Sequence, residues 1–458
     1  MSETQASSIS KSDLAVNSQT SLPGHPTHPI SIAVETYMHA ARDIKFACKT
    51  FLPLAGHFEA NSRTRLVKRY DDALVLFDST DAEHKVRGTK LLLETIRKTA
   101  RHKFSDVSTI LERSLFLSLF SAFDVYTGEL LRALCNLNPT LLNTFNRSIP
   151  LKDVLSAQSL ESLRSVVLTE EIENFRRKSY SEQFDTLEKW FDVKLKKFEK
   201  WPLFIEASQR RNLLTHCGGI VSEQYRTICR QEGVAVSDIP QVGDCLGLGA
   251  DYMLPMCELM MEVALKLGQT LWRKVLPDEL ALADEHLHDV VYDALAVEQW
   301  SRAETFGEFF VTQKKLSSEL KRSMAVINLA IALKHLDKTK RLQEIIGDKD
   351  WSASLAEFRL AETILRSDYD NAATIMRQIG RKGQILSETD YHTWPLFHGF
   401  RDTAIFTETY EDIYGHPFAV KVQESAAQSV KELVVENERA KRLSSDDKNS
   451  EPLIEDEN

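Results

Sequence analysis

The sequence predicts an all-α protein, and three observations carry that expectation. Glycine (17) and proline (13) are scarce in 458 residues, so chain punctuators are too few for many short strands and tight turns. Between the two ends, apolar residues recur at three- and four-residue spacing almost throughout. No succession of alternating apolar and polar runs marks a sheet. The length exceeds that of one core and suggests two or three domains.

Taken in order, residues 1–28 are rich in Ser, Thr, Gln, Pro and His and read as a disordered tail. Residues 29–103 read as N-terminal helices, with "VETYMHAARDIKFACKTFL" showing the helical period. "SDVSTILERSLFLSLFSAFDVYTGELLRALC" keeps that period over about eight turns. Its wide apolar face predicts a central buried helix, with Ser105 as its N-cap. Further helices fit 158–178, 181–192, 201–217, 219–232, 251–275 and 285–314. The loop "GVAVSDIPQVGDCLGLGAD" interrupts them and has room for a short hairpin.

Residues 284–425 look repetitive. "MAVINLAIALKHLDKTKRLQEIIGD" can be laid over "LAEFRLAETILRSDYDNAATIMRQIGR". Leu329 then meets Leu360, Ala330 meets Ala361, Asp337 meets Asp368 and Gly347 meets Gly380. A weaker third unit places Phe406 and Gly415 comparably. Each unit reads as helix, Asp-containing turn, helix, glycine stop, which resembles a tetratricopeptide-like array. A plain helical bundle is the other reading. Residues 426–458 read as a helix end and an acidic disordered tail.

The net charge of −10 argues against indiscriminate coating of nucleic acid, which needs a large Lys and Arg excess. Any nucleic-acid contact should be confined to one basic site. The six cysteines form no CxxC and no Cys/His cluster, so neither a zinc site nor a disulfide framework is expected. With no signal peptide read at the start and no apolar run judged long enough for a bilayer, the expectation is a cytoplasmic protein without membrane or cofactor.

Chemistry concentrates in "RRNLLTHCGGIV", Arg210 to Val221. The glycine pair predicts a helix stop just after Cys217, leaving His216 in the last turn. Asn212 and His216 are spaced i, i+4 and share a face, and Arg211 can reach toward it. Arginine grips phosphate through two donors, and histidine moves protons near neutral pH. Together they suit cleavage of RNA, whose 2′-hydroxyl is its own nucleophile. Requiring Arg-Asn together with the histidine lowers the chance expectation to on the order of 0.02 in a chain of this length. "RKTARH" repeats the Arg-to-His spacing with Arg97 and His102, yet lacks the asparagine and the glycines; it reads as a solvated basic face. An alternative for the motif itself is a capped helix end with His216 bonded to the last carbonyls.

"RRNLLTHCGGIVSEQY" resembles the signature of the HEPN superfamily, small all-α domains whose Arg-Asn-x-x-x-His motif is a ribonuclease centre. "LFLSLFSAFDVYTGELLRAL" is similar to the first long helix of those domains, with Asp124 after an aromatic where glutamate is more usual. The resemblance covers about residues 104–275 and a HEPN-like domain of 104–280. It implies a homodimer with two motifs lining one cleft, and metal-independent cleavage to a 2′,3′-cyclic phosphate. It further implies that Arg211 holds the phosphate, His216 is the general acid/base, and Asn212 and Asp124 support them.

Three other stretches carry weaker signals. In "KLKKFEKWPLFIEASQRR", Lys194, Lys196, Lys197, Lys200 and Arg210 read as a basic approach for RNA, with Trp201 or Phe198 stacking a base; a solvated helix and loop is the competing reading. "DEHLHD" at 284–289 reads as a surface helix, since His286 and His288 point about 200° apart and cannot share a metal ion. "GDCLGLGAD" fails as a phosphate cradle, with no strand before it and no lysine inside. The resulting expectation is a regulated ribonuclease, by analogy a toxin in anti-phage defence, whose repeats meet a protein or phage-derived trigger. The alternative is a non-catalytic dimeric adaptor.

Overall fold

The computed structural model describes residues 28–103, 106–145, 148–427, 430–431 and 434. Among them the chain is all-α, without a strand; a single antiparallel bridge joins Ile220 to Cys245. The predicted tails at 1–28 and 426–458 fall almost wholly outside the described residues. The chain divides into two compact units, with the boundary between Leu287 and His288. Residues 29–103 belong to the same unit as the motif.

The first unit is built on α1 (Pro29–Phe77), α2 (Ala82–Lys103) and α3 (Val107–Leu137). α1 and α2 form a long antiparallel hairpin. Ser105 lies outside the described residues; the cap of α3 is Asp106, whose carboxylate accepts from Thr109 N at 3.2 Å. α3 is long and apolar enough to cross a membrane by length and composition, and half of its most apolar window is packed inside the unit. α4 (Leu151–Ser156), α5 (Leu160–Arg176), α6 (Tyr180–Phe191), α7 (Trp201–His216), α8 (Glu223–Gln231) and α9 (Ala250–Val275) follow, and of these α5, α7 and α9 pack directly on α3. The core is aromatic: Phe123 contacts Tyr37, Tyr126, Tyr180 and Phe204 with ring centroids 5.5–5.9 Å apart. Gly268 lets α9 approach α1 closely, because a Cβ there would lie 2.6 Å from Val34 Cγ2. Tyr126 reinforces the junction by donating to the Ala264 carbonyl at 2.6 Å.

"DEHLHD" is not a surface helix. It lies in α10 (Leu280–Ala296), where Asp284 is fully buried against Arg273 Nη1 at 2.7 Å. His286 is buried between Gln269 Nε2 at 2.9 Å and Glu35 Oε1 at 3.2 Å. Apolar residues on both sides pull this stretch inward, and each charge finds a partner there. No group of three potential metal ligands occurs among the described residues.

The second unit, from His288, continues with α11 (Trp300–Val311), α12 (Glu319–His335), α13 (Thr339–Gly347), α14 (Ala356–Leu365) and α15 (Tyr369–Ile379). Two single turns, α16 (Asp390–Thr393) and α17 (His398–Arg401), lead to α18 (Ala404–Tyr414). The helix expected over 285–314 is broken at Glu298, whose φ is +57°. The same break recurs at Asp337 (φ +56°) and Ser367 (φ +62°). In each, that residue's N–H returns to the carbonyl three back and the next N–H to the carbonyl five before it, as in Ser367 to Ile364 and Asp368 to Thr363. Three helix pairs therefore share one turn, and the sequence overlay shows two of them. The overlay is also displaced by one residue: the structural partner of Asp337 is Ser367, not Asp368. Gly380 (φ +71°) and Gly415 (φ +78°) do end helices, whereas Gly347 is the last residue of α13.

Candidate functional site

α7 begins with Pro202 in its first turn and buries Trp201, Phe204, Ile205, Leu213 and Leu214. It stops at the glycine pair as the sequence predicts. Cys217 N and Gly219 N both return to the Leu213 carbonyl, at 2.7 and 3.0 Å. Gly218 (φ +62°) and Gly219 (φ +87°) then turn the chain out of the helical region. The helix expected from residue 219 starts only at Glu223, because Gly219 and Val221 pair with the incoming loop. Val221 N donates to Asp244 O at 2.9 Å and Leu246 N to Gly219 O at 3.0 Å. The long loop thus forms no hairpin of its own. Leu213, Val221, Tyr225, Cys229, Val234, Ile239 and Leu246 close a satellite core beneath this rim.

Along α7, Arg211 and Asn212 meet on the edge that faces α3, and His216 follows Asn212 one turn on. Arg211 Nη1 donates to Asn212 Oδ1 at 3.2 Å, and its Nη2 stands 3.7 Å from Asp124 Oδ2 on α3. The other carboxylate oxygen of Asp124 accepts from Tyr180 at 2.7 Å. Burial pushes the Asp124 carboxyl above its ordinary range, against the pull of Tyr180, Arg211 and Arg176. Burial likewise pushes Tyr180 well up, which keeps its hydroxyl a donor. His216 is exposed at the end of the helix and has no partner among the described residues. It does not cap the helix carbonyls.

Two arginines that sequence reasoning missed complete the edge. Arg113 Nη2 donates to the Gly218 carbonyl at 3.1 Å, beside His216. Arg176 Nη2 donates to Val125 O at 3.2 Å and lies over Gly128, where a Cβ would come within 1.9 Å of it. Arg113 was findable: it sits three helical turns before Asp124, within about 20° on the same face. Arg176 left no local signal.

The expected basic approach is largely neutralised. Arg210 is 13% exposed, bonded to Glu206 at 2.8 Å and the Gly247 carbonyl at 2.7 Å, and stacked 3.9 Å over Tyr252. It is a structural residue, held there because Glu206 is buried and needs a counter-charge. Lys196 pairs with Asp185 at 2.8 Å, and Lys200 with Glu262 at 2.7 Å. Trp201 is buried and donates to Glu232 at 2.9 Å, so it cannot stack a base, and Lys266 covers Phe198 at 4.7 Å. Lys194 and Lys197 alone of the five remain exposed and unpaired among the described residues.

Comparison with known proteins finds no matching family model, no matching curated relative and no matching solved structure.

Proposed function

We propose that the chain is a metal-independent endoribonuclease of the HEPN type, with its cutting edge at the C-terminal end of α7. The observation that carries this reading is that Arg211 lies against Asn212 and against Asp124, itself held by Tyr180, on the helix that ends at an exposed, unengaged His216. In this reading His216 takes the proton of a ribose 2′-hydroxyl, whose oxygen attacks the adjacent phosphorus. Arg211 and Arg113 offset the charge gathering on the phosphate oxygens. The 5′-oxygen leaves with a proton, giving a 2′,3′-cyclic phosphate and a 5′-hydroxyl. One histidine serves only one of the two proton transfers at a time. A homodimer that faces two such edges supplies the second. The helix pairs of the second unit would then receive a protein trigger, consistent with a regulated toxin.

One observation favours a non-catalytic adaptor instead: three of the five cations expected to draw RNA are neutralised by internal carboxylates. The two readings part on a simple assay. Purified full-length protein is incubated with single-stranded RNA in EDTA, and products are examined for cyclic phosphate ends. The ribonuclease reading expects cleavage, with His216→Ala slower by about 10²–10⁴-fold. Undiminished cutting by His216→Ala sinks it.

A further inference from the structure

The α1–α2 hairpin has a charge unlike the rest of the chain. Residues 46–103 carry 12 Lys and Arg against 7 Asp and Glu, in a protein whose net charge is −10. Their arrangement is directional. Arg69 of α1 pairs with Glu94 of α2, which identifies the sides of the two helices that share one surface. By helical spacing, Arg87, Lys90, Arg97 and Lys98 flank Glu94 on that surface, and Arg65 lies one turn before Arg69. All five are exposed, and none has a partner among the described residues. The one acid inside the α2 ridge, Glu94, is already neutralised; Asp72 and Glu83 lie at its margin.

At the base of the same surface the cations give way to aromatics. Phe58 is 70% exposed and Phe51 50%, on either side of Leu54 at 59%. With Val107 and Leu111 of α3 they line an open groove of about 660 Å³. Glu59 ties this base to α3 by accepting from Ser108 N at 3.1 Å. Asp106, at the start of α3, lies in the field of both Arg63 of the hairpin and Arg113 of the candidate site. Arg113 is only about 10 Å further along α3, at 1.5 Å per residue. The cationic ridge and the aromatic groove thus adjoin on the hairpin, and the edge bearing His216 belongs to the same unit.

We propose that this hairpin surface docks the single-stranded RNA which the α7 edge cuts, with phosphates on the α2 ridge and bases on Phe51 and Phe58. The proposal rests on the ribonuclease reading for the fate of the RNA, but not for its binding. Cations spaced along a ridge match a repeating backbone charge, and exposed rings stack bases without regard to sequence. This site replaces the Lys194–Arg210 segment as the basic approach. It also reconciles an acidic protein with a polyanionic substrate, because the positive charge is gathered on one arm.

The test measures binding by fluorescence anisotropy of a labelled 20-nucleotide single-stranded RNA, using full-length protein with His216→Ala so that nothing is cut. Two double reversals, Arg87→Glu/Lys90→Glu and Arg97→Glu/Lys98→Glu, are compared with Lys314→Glu/Lys315→Glu, which changes net charge equally on the second unit. Each ridge reversal should weaken binding at least ~10-fold and flatten the slope of log K against log salt by about 1.4, while the comparison pair stays within ~2-fold. Phe58→Ala should weaken binding ~5-fold or more. The matching glutamine substitutions, checked by circular dichroism, separate lost contacts from lost fold. Ridge reversals no weaker than the comparison pair overturn the proposal. So does absence of binding at low salt, or a ridge-dependent affinity for anionic phosphatidylglycerol vesicles with RNA binding unaffected. Ridge-dependent binding without cleavage by the wild-type chain upholds this surface and defeats the ribonuclease reading. Cleavage indifferent to the ridge does the reverse.

Discussion

Asp124 on α3 and Arg211 on α7 meet with 3.7 Å between Oδ2 and Nη2, and the carboxylate is fixed from its other side by Tyr180. The contact joins the two helices that carry Arg113, Asp124, Arg211, Asn212 and His216. At 3.7 Å, with side chains 29% and 26% exposed, the pair orients Arg211 more than it stabilises the fold.

Asp124→Asn keeps the shape and removes the charge. It should change stability by no more than about 1 kcal/mol, the range of partly exposed pairs. Cleavage, in the ribonuclease reading, should fall by about 10–100-fold as Arg211 loses its orientation, a loss in the range of one misplaced catalytic group. Tyr180→Phe should cost about 1 kcal/mol for one buried hydrogen bond. Denaturant melts and single-turnover cleavage measure the two effects separately. A variant that cuts as fast as the wild type would show that Asp124 does not position Arg211.

The glycine pair gives a second prediction with an internal comparison. At Gly218 a Cβ meets nothing within 4 Å, so Gly218→Ala pays only the positive-φ penalty, about 1 kcal/mol. At Gly219 the added Cβ lies 3.2 Å from Leu214 Cδ2 as well, over the satellite core. Gly219→Ala should therefore cost about 1–3 kcal/mol. Equal losses in thermal or urea melts would contradict this ranking.

Glu206 and Arg210 supply the third. Glu206 is 9% exposed and accepts from Arg210 at 2.8 Å and from Tyr225 and Tyr252 at 2.7 Å each. Burial pushes both tyrosines up, so they remain donors. Arg210→Ala strands this carboxylate and should destabilise the protein by about 3–5 kcal/mol, whereas Lys194→Ala should stay within about 0.5 kcal/mol. An Arg210→Ala protein as stable as the wild type would restore Arg210 to the surface role its sequence suggested.

These residues also show what the sequence made legible. The helix stop was readable because a Gly-Gly pair acts locally, through φ. The shared edge of Asn212 and His216 was readable because helical spacing fixes azimuth. Counterions were not. Lys196 and Lys200 look free in the chain, yet Glu232 and Glu262 lie tens of residues away and arrive only with α8 and α9. Asp284 and His286 look exposed because they are polar, but their partners Arg273 and Glu35 are brought by other helices. Periodicity shows which face of a helix turns inward; it does not show what waits there. The repeated turn at Glu298, Asp337 and Ser367 escaped for a related reason. A left-handed residue at a helix end needs no glycine when the surrounding hydrogen bonds hold it, so no shared letter marks it.

His288 provides the last prediction, in pH. Its ring stacks against Tyr292 with centroids 6.3 Å apart, and Asn328 Nδ2 lies 3.4 Å from its Nδ1. Burial, aided by the nearby Lys321 charge, pushes its pKa from 6.5 down to about 3. The folded protein therefore keeps His288 neutral at a pH where an unfolded chain protonates it. The unfolded state binds the extra proton between about pH 6.5 and 3, so stability is highest above that window and falls as pH drops through it. His288→Gln cannot take up that proton. Its own stability should be lower at pH 7.5, by about 1 kcal/mol for the altered packing and hydrogen bond, but should decline less between pH 7 and 4.5. Urea denaturation at a series of pH values, following the second unit's helices, gives both slopes. Parallel curves for wild type and His288→Gln would show that the folded protein does not hold this half-buried histidine neutral.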